Sequence, residues 1–255
     1  MKKLLLPLLT ILFIIGCKKQ TPIDNEPKVT LCHYDAATGK DTTIQVNKSD
    51  VAAHLAQGDV LGNCSAVVTT ICSQDWMIKN LDVSTFRNGD SIPEVSNPAV
   101  WTRLTTPAWC HYNNDPANDS IYGKLYNWYA LTDPRGIAPV GWHVPSDSDW
   151  STLTDCLGGE WVAGGALKES GYAHWASPNL GATNSSGFTA LPVSYRHDEN
   201  GSFEPLGFNA YWWAAPDPKT NEVWYWTINY QASGFGKFID STPQNFWFAI
   251  RCVRD

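Results

Sequence analysis

Histidine and cysteine are the side chains here most able to do chemistry, with six and seven copies in 255 residues. Cys32, His33, His54 and Asp59 fall in one short segment and are residue types that hold zinc. The paired C-x₂-C spacing of a structural zinc site is missing, and Cys32 has a disulfide partner available in Cys64. The segment therefore reads as a disulfide-closed miniature fold, and no metal ligands are assigned. His111 and His143 are candidate bases. His143, between Trp142 and Val144, reads as a hydrogen-bonded core residue instead. Neither G-x-S-x-G nor H-E-x-x-H occurs, so no catalytic residue is assigned and the chain is read as a non-enzyme. The stretch NNDPANDS (Asn113 to Ser120) invites calcium, but it lacks the D-x-[DN]-x-[DN]-G order and reads as a turn with Asx capping. No cofactor is assigned, calcium being the one the sequence invites.

The elements that hold these residues begin with an export signal. Met1-Lys2-Lys3 is basic, Leu4 to Ile15 is apolar, and Gly16-Cys17 follows, the layout of a bacterial lipoprotein signal. The apolar run is too short for a comfortable membrane span. Residues 1–16 are expected to be removed and Cys17 acylated, with residues 17–27 as a polar tether to the membrane. Removal takes Lys2 and Lys3 and no acid, so the formal charge moves from −7 to −9. An acidic protein lacks the positive footprint that nucleic acid or an anionic membrane surface requires. Export also implies that the six remaining cysteines, Cys32, Cys64, Cys72, Cys110, Cys156 and Cys252, form disulfides. Cys32 and Cys64 bracket the segment 28–64 and are paired on that ground.

Within 28–64, Val29 to Tyr34 and Thr42 to Val46 alternate as two strands, and Ser49 is expected to cap a helix that Gly58 ends. Residues 65–70 form a linker, and the main domain is placed at 71–255. Gln74 to Ile78 and Trp109 to Tyr112 read as strands. Gly123 to Leu131, with Leu125, Trp128 and Tyr129 at helical spacing, reads as a short helix. Ser146 and Asp149 form a capping-box signature for a second helix carrying Trp150, Leu153 and Cys156, closed by Gly158-Gly159. Phe188 to Tyr195 reads as a strand broken by Pro192, and Arg196 to Gly201 as a turn. Val223 to Tyr230 alternates cleanly, with Trp224, Trp226, Ile228 and Tyr230 on one face and Tyr225, Thr227 and Asn229 on the other. Most of the thirteen tryptophans belong in the core, which leaves a few as possible stacking platforms.

The words WMIKNLDV, RNGDSIP, YGKLYNWYAL, GWHVPSDSDW, AGGALKESG, GATNSSGFTALP, YWW and IRCVRD occur in order over roughly residues 70 to 255. In these the chain resembles the Fibrobacter succinogenes major paralogous domain family. The resemblance implies a C-type lectin-like or formylglycine-generating-enzyme-like α+β fold, with two short helices and an irregular antiparallel sheet. It also implies a helix-to-terminal-strand bridge, Cys156 to Cys252, which leaves Cys72 for Cys110. A lectin-like domain in the envelope, at the outer membrane, would bind an extracellular carbohydrate or protein through Asn209 to Trp226, with Trp212, Trp213, Asp217 and Asn221 as candidate contacts. The alternatives are a structural envelope protein, favoured if Tyr211-Trp212-Trp213 is buried, or a relative of the formylglycine-generating oxidases, which use two reactive cysteines. The calcium-dependent sugar triplets of true C-type lectins are not present.

Overall fold

A computed structural model describes residues 26–38, 40–197, 199–217, 219, 223–240 and 246–255. The signal segment, Cys17, most of the tether and Asn221 lie outside the described residues. No helix among those described is long and apolar enough to cross a membrane.

The chain opens on a small antiparallel sheet. Strands β1 (Lys28–Asp35) and β2 (Lys40–Asn47) pair over their full lengths, from Lys28 opposite Asn47 to Asp35 opposite Lys40. Helix α1 (Val51–Leu55) follows, and β3 (Val60–Leu61) returns along the free edge of β1. Asp50, not Ser49, stands at the start of α1, because a single 3₁₀ turn over Lys48–Asp50 takes up Ser49. The expected Cys32–Cys64 disulfide is present, with a Cα–Cα distance of 4.6 Å. Closing a loop of that sequence separation removes chain entropy worth roughly 3–4 kcal/mol. This unit is docked on the rest of the molecule. Arg254 donates to Asp41 at 2.8 Å and lies over the Tyr34 ring at 4.1 Å.

The remainder is α+β, built of short helices and short antiparallel strands. Strands β4 (Val68–Ile71) and β5 (Gln74–Met77) form a hairpin. β6 (Trp109–Cys110) pairs with β7 (Leu125–Asn127). β8 (Trp142–His143) and β9 (Arg196–His197) are brief, β10 (Asn209–Trp213), β11 (Val223–Asn229) and β12 (Phe235–Asp240) form a meander, and β13 (Phe246–Phe248) and β14 (Val253–Arg254) end the chain. Their orders are β4-β5-β14-β8, β6-β7-β13-β9 and β10-β11-β12. The last strand thus sits between strands from early in the domain, with Val253 opposite both Trp76 and His143.

Two expectations are corrected. Gly123 to Leu131 is not one helix: β7 comes first and a single turn, α2 (Trp128–Leu131), follows. Asn127 makes the break, its side-chain oxygen accepting from Ala130 N at 2.9 Å as an N-cap and from Ala108 N at 3.0 Å across the sheet. The apolar spacing is helical, but ladder bonds to β6 and β13 decide the conformation. Phe188 to Tyr195 is irregular, and the strand begins where a turn is expected, at Arg196. The buried Arg196 guanidinium donates to Val95 O at 2.9 Å and stacks over Trp101 at 3.8 Å, fastening that segment.

The capping box forms as its residues dictate. Ser146 and Asp149 satisfy each other's backbone at the start of α3 (Asp147–Cys156), which Gly158 and Gly159 terminate at φ 99° and 95°. Its Trp150 lies at the centre of the core among Trp76, Trp212, Trp226 and Phe235, ring centroids 4.6–6.3 Å away. Ten of the thirteen tryptophans are buried. A core this rich in rings compensates for elements this short, since each ring buries about 150–250 Å².

Candidate functional site

Outward from that core, the meander β10-β11-β12 presents a second face. Asn209 and Tyr211 on β10, Tyr225, Thr227 and Asn229 on β11, and Phe238 on β12 line a surface hollow of about 560 Å³. They share one side because strand residues alternate, and the pairs Asn209–Asn229, Tyr211–Thr227 and Tyr225–Phe238 lie directly opposite. Tyr225 and Phe238 are stacked at 5.7 Å, and Tyr211 stands 6.1 Å from Tyr225 and 5.4 Å from Phe248, which it stacks on. Burial pushes the Tyr211 phenol up to about 12, so it stands at the hollow as a neutral hydroxyl. Asn229 donates to Asn209 Oδ1 at 2.7 Å, which orients both amides.

The rim is Trp161, 89% exposed. Its loop is held by the turn that leads into β12. Phe235 N donates to Glu160 O at 2.7 Å, and Ser233 Oγ donates to Trp161 O at 3.2 Å. Helix α4 (Ala163–Leu167) presses on the same turn, and a Cβ on Gly164 would stand 2.1 Å from Gly234 O. Lys168, buried beneath, donates to Leu180 O at 2.8 Å, Asn229 O at 3.2 Å and Ala232 O at 2.8 Å, pinning the hollow's edge from inside. Burial pushes its ammonium down to about 8. The arrangement offers flat apolar faces beside fixed amides and hydroxyls, which suits a polar ligand with planar apolar patches.

The residues expected to bind are placed otherwise. Trp212 and Trp213 are both fully buried: Trp212 donates to Asn80 Oδ1 and Trp213 to Tyr126 O, each at 2.8 Å. They are core, and their neighbour Tyr211 is the residue of the triplet that reaches the hollow. Asp217 is exposed beyond β10, accepting from Lys219 N at 2.7 Å, and does not line the hollow. The alternation in β11 had already set Tyr225, Thr227 and Asn229 on one face; nothing local to Trp161 separates it from the buried tryptophans. The NNDPANDS carboxylates turn to separate partners, Asp115 to Ala117 N at 3.0 Å and Asp119 to His111 and Lys124, each at 2.8 Å.

The cysteine pairing also changes. Cys72 is joined to Cys156, and Cys110 and Cys252 are free and buried. The end of α3 lies against the β4–β5 turn, where Cys72 sits at φ 54°, so Cys156 meets that turn and not the last strand. Cys252 packs instead in the apolar cluster with Met77, Tyr126 and Trp142, and burial pushes both free thiols up to about 12. Thiols held there are far from the low-pKa, accessible state of a reactive cysteine.

A fold of short antiparallel strands around a tryptophan core, with one hollowed sheet face, defines an α+β module whose recognisable sequence words are mostly core and turn residues. Residues 69–254 match the Fibrobacter succinogenes major domain, and the chain belongs to that family. No curated protein and no solved structure matches the chain.

Proposed function

We propose that this chain is a lipid-anchored protein of the bacterial cell envelope, attached through Cys17 at the outer membrane, and that the β10-β11-β12 hollow binds a carbohydrate ligand without catalysing a reaction. The observation that carries the reading is Trp161 at 89% exposure beside a face of stacked Tyr225 and Phe238 with oriented asparagines. An indole left in water at the lip of a polar-aromatic hollow is surface that a sugar face can cover. The lipoprotein layout of residues 1–17 and the lectin-like resemblance support the location and the ligand class.

The test is binding of the purified protein to a polysaccharide panel, with calcium and again with chelator. Trp161→Ala and Tyr225→Ala should each weaken a saturable interaction by roughly 30-fold, equivalent to about 2 kcal/mol of lost ring contact. Full binding by both variants would remove the hollow as the site. A second reading, an envelope protein with a structural role, is favoured by the burial of Trp212 and Trp213; the absence of any saturable ligand would support it.

A further inference from the structure

The N-terminal unit brings two histidines onto one buried carboxylate. Asp59 Oδ1 lies 2.8 Å from His33 Nδ1, and Asp59 Oδ2 lies 2.7 Å from His54 Nδ1. The Asp59 side chain is 2% exposed, whereas His33 and His54 are 37% and 27% exposed.

Local chemistry explains the convergence. Helix α1 ends in a Schellman motif: Gly58 N donates to Leu55 O at 3.1 Å and Asp59 N to His54 O at 3.2 Å, with Gly58 at φ 97°. That reversal folds Asp59 back onto His54. The pairing of β3 with β1 then sets Val60 opposite Cys32, so the preceding residue, Asp59, faces His33. Cys32 itself points to the buried side and is taken by the disulfide.

We infer that His33, His54 and Asp59 form a site for a divalent transition metal of the zinc class, held by two imidazoles and one carboxylate. One ligand atom from each of the three residues lies within 4.8 Å of the others. Bonds of about 2.1 Å in a tetrahedral site place ligand atoms roughly 3.4 Å apart, so closure takes only small side-chain rotations. Coordination through Nδ1 leaves each neutral ring with its proton on Nε2, a change of tautomer that needs no proton acceptor. The exposed edges of the two rings leave room for water to complete the shell. Sulfur takes no part. The sequence spacing that argues against a Cys-based zinc site therefore does not bear on this one. The disulfide and the ion would fasten the same small sheet, which alone has little core.

The full chain, purified in detergent and stripped with chelator, is titrated with Co²⁺ and with Zn²⁺. One equivalent should bind, giving a Co²⁺ spectrum of nitrogen and oxygen ligands without a thiolate charge-transfer band, and Zn²⁺ should raise the melting temperature. His54→Gln should weaken binding at least 100-fold, and His33→Gln/His54→Gln should abolish it. Circular dichroism checks that the variants fold, and the wild-type titration decides the matter even if they do not. No stoichiometric uptake by the wild-type chain, a thiolate spectrum, or unchanged affinity in a folded double variant would each overturn the site.

Discussion

At the residue scale, tryptophan takes two opposite roles, and the difference is measurable. Trp213→Ala would empty a fully buried site and remove the indole hydrogen bond to Tyr126 O, so a loss of about 3–5 kcal/mol in denaturant unfolding is expected. Trp161→Ala should change stability by no more than about 0.5 kcal/mol while weakening ligand binding, because the ring is in water. His143 adds a pH signature. The hydrogen bond with Asp149 is the main influence raising its pKa above 6.5, burial opposes it, and Asp255 at 2.8 Å adds to it. A group whose folded pKa is raised stabilises fully below the unfolded value and loses that contribution as pH rises through the folded one. The melting-temperature gap between wild type and His143→Gln should therefore be widest below pH 6.5 and shrink on the alkaline side. Burial alone would raise the Asp149 carboxyl, yet hydrogen bonds from His143 and Ser146 hold it at about 2, so its own contribution persists until strongly acid pH. A gap that is flat with pH would show that the ion pair contributes nothing.

At the element scale, α4 shapes a hollow it does not line. Gly164→Ala would press a methyl into Gly234 O, and the turn that carries Phe235 and braces Trp161 must give way. A loss of about 2–3 kcal/mol, with ligand affinity falling although no contact residue has changed, is the expected outcome in paired unfolding and binding measurements. This scale also shows how far the sequence was legible. The capping box at Ser146 and the alternation of Val223 to Asn229 were readable because each is decided within a few residues. The segment Gly123 to Leu131 was not, since Asn127 and distant strands override a helical spacing, and the two-residue strand Arg196–His197 exists only through its partners. The candidate site was half legible. Its strand residues follow from period two, but Trp161 owes its position to a turn some seventy residues away, and Trp212 and Trp213 are held in the core by contacts with Asn80 and Tyr126.

At the scale of the whole molecule, covalent links divide the work. Peptide mapping of the oxidised protein should recover Cys32 with Cys64 and Cys72 with Cys156, and no Cys156–Cys252 peptide. Thiol reagents should reach Cys110 and Cys252 only after unfolding, because both are buried with raised pKa values. Losing Cys72–Cys156 should cost about 4–5 kcal/mol on the loop-entropy scale for its separation; rapid labelling of either free thiol in the native protein would contradict the packing described. The placement of Val253 between Trp76 and His143 carries a consequence for timing. A chain made or threaded from its N-terminus presents β5 and β8 long before β14 is available to join them, so the sheet stays split until Val253 and Arg254 arrive. The small disulfide unit contains no strand from that end of the chain, whereas the β4-β5-β14-β8 sheet cannot be completed without it.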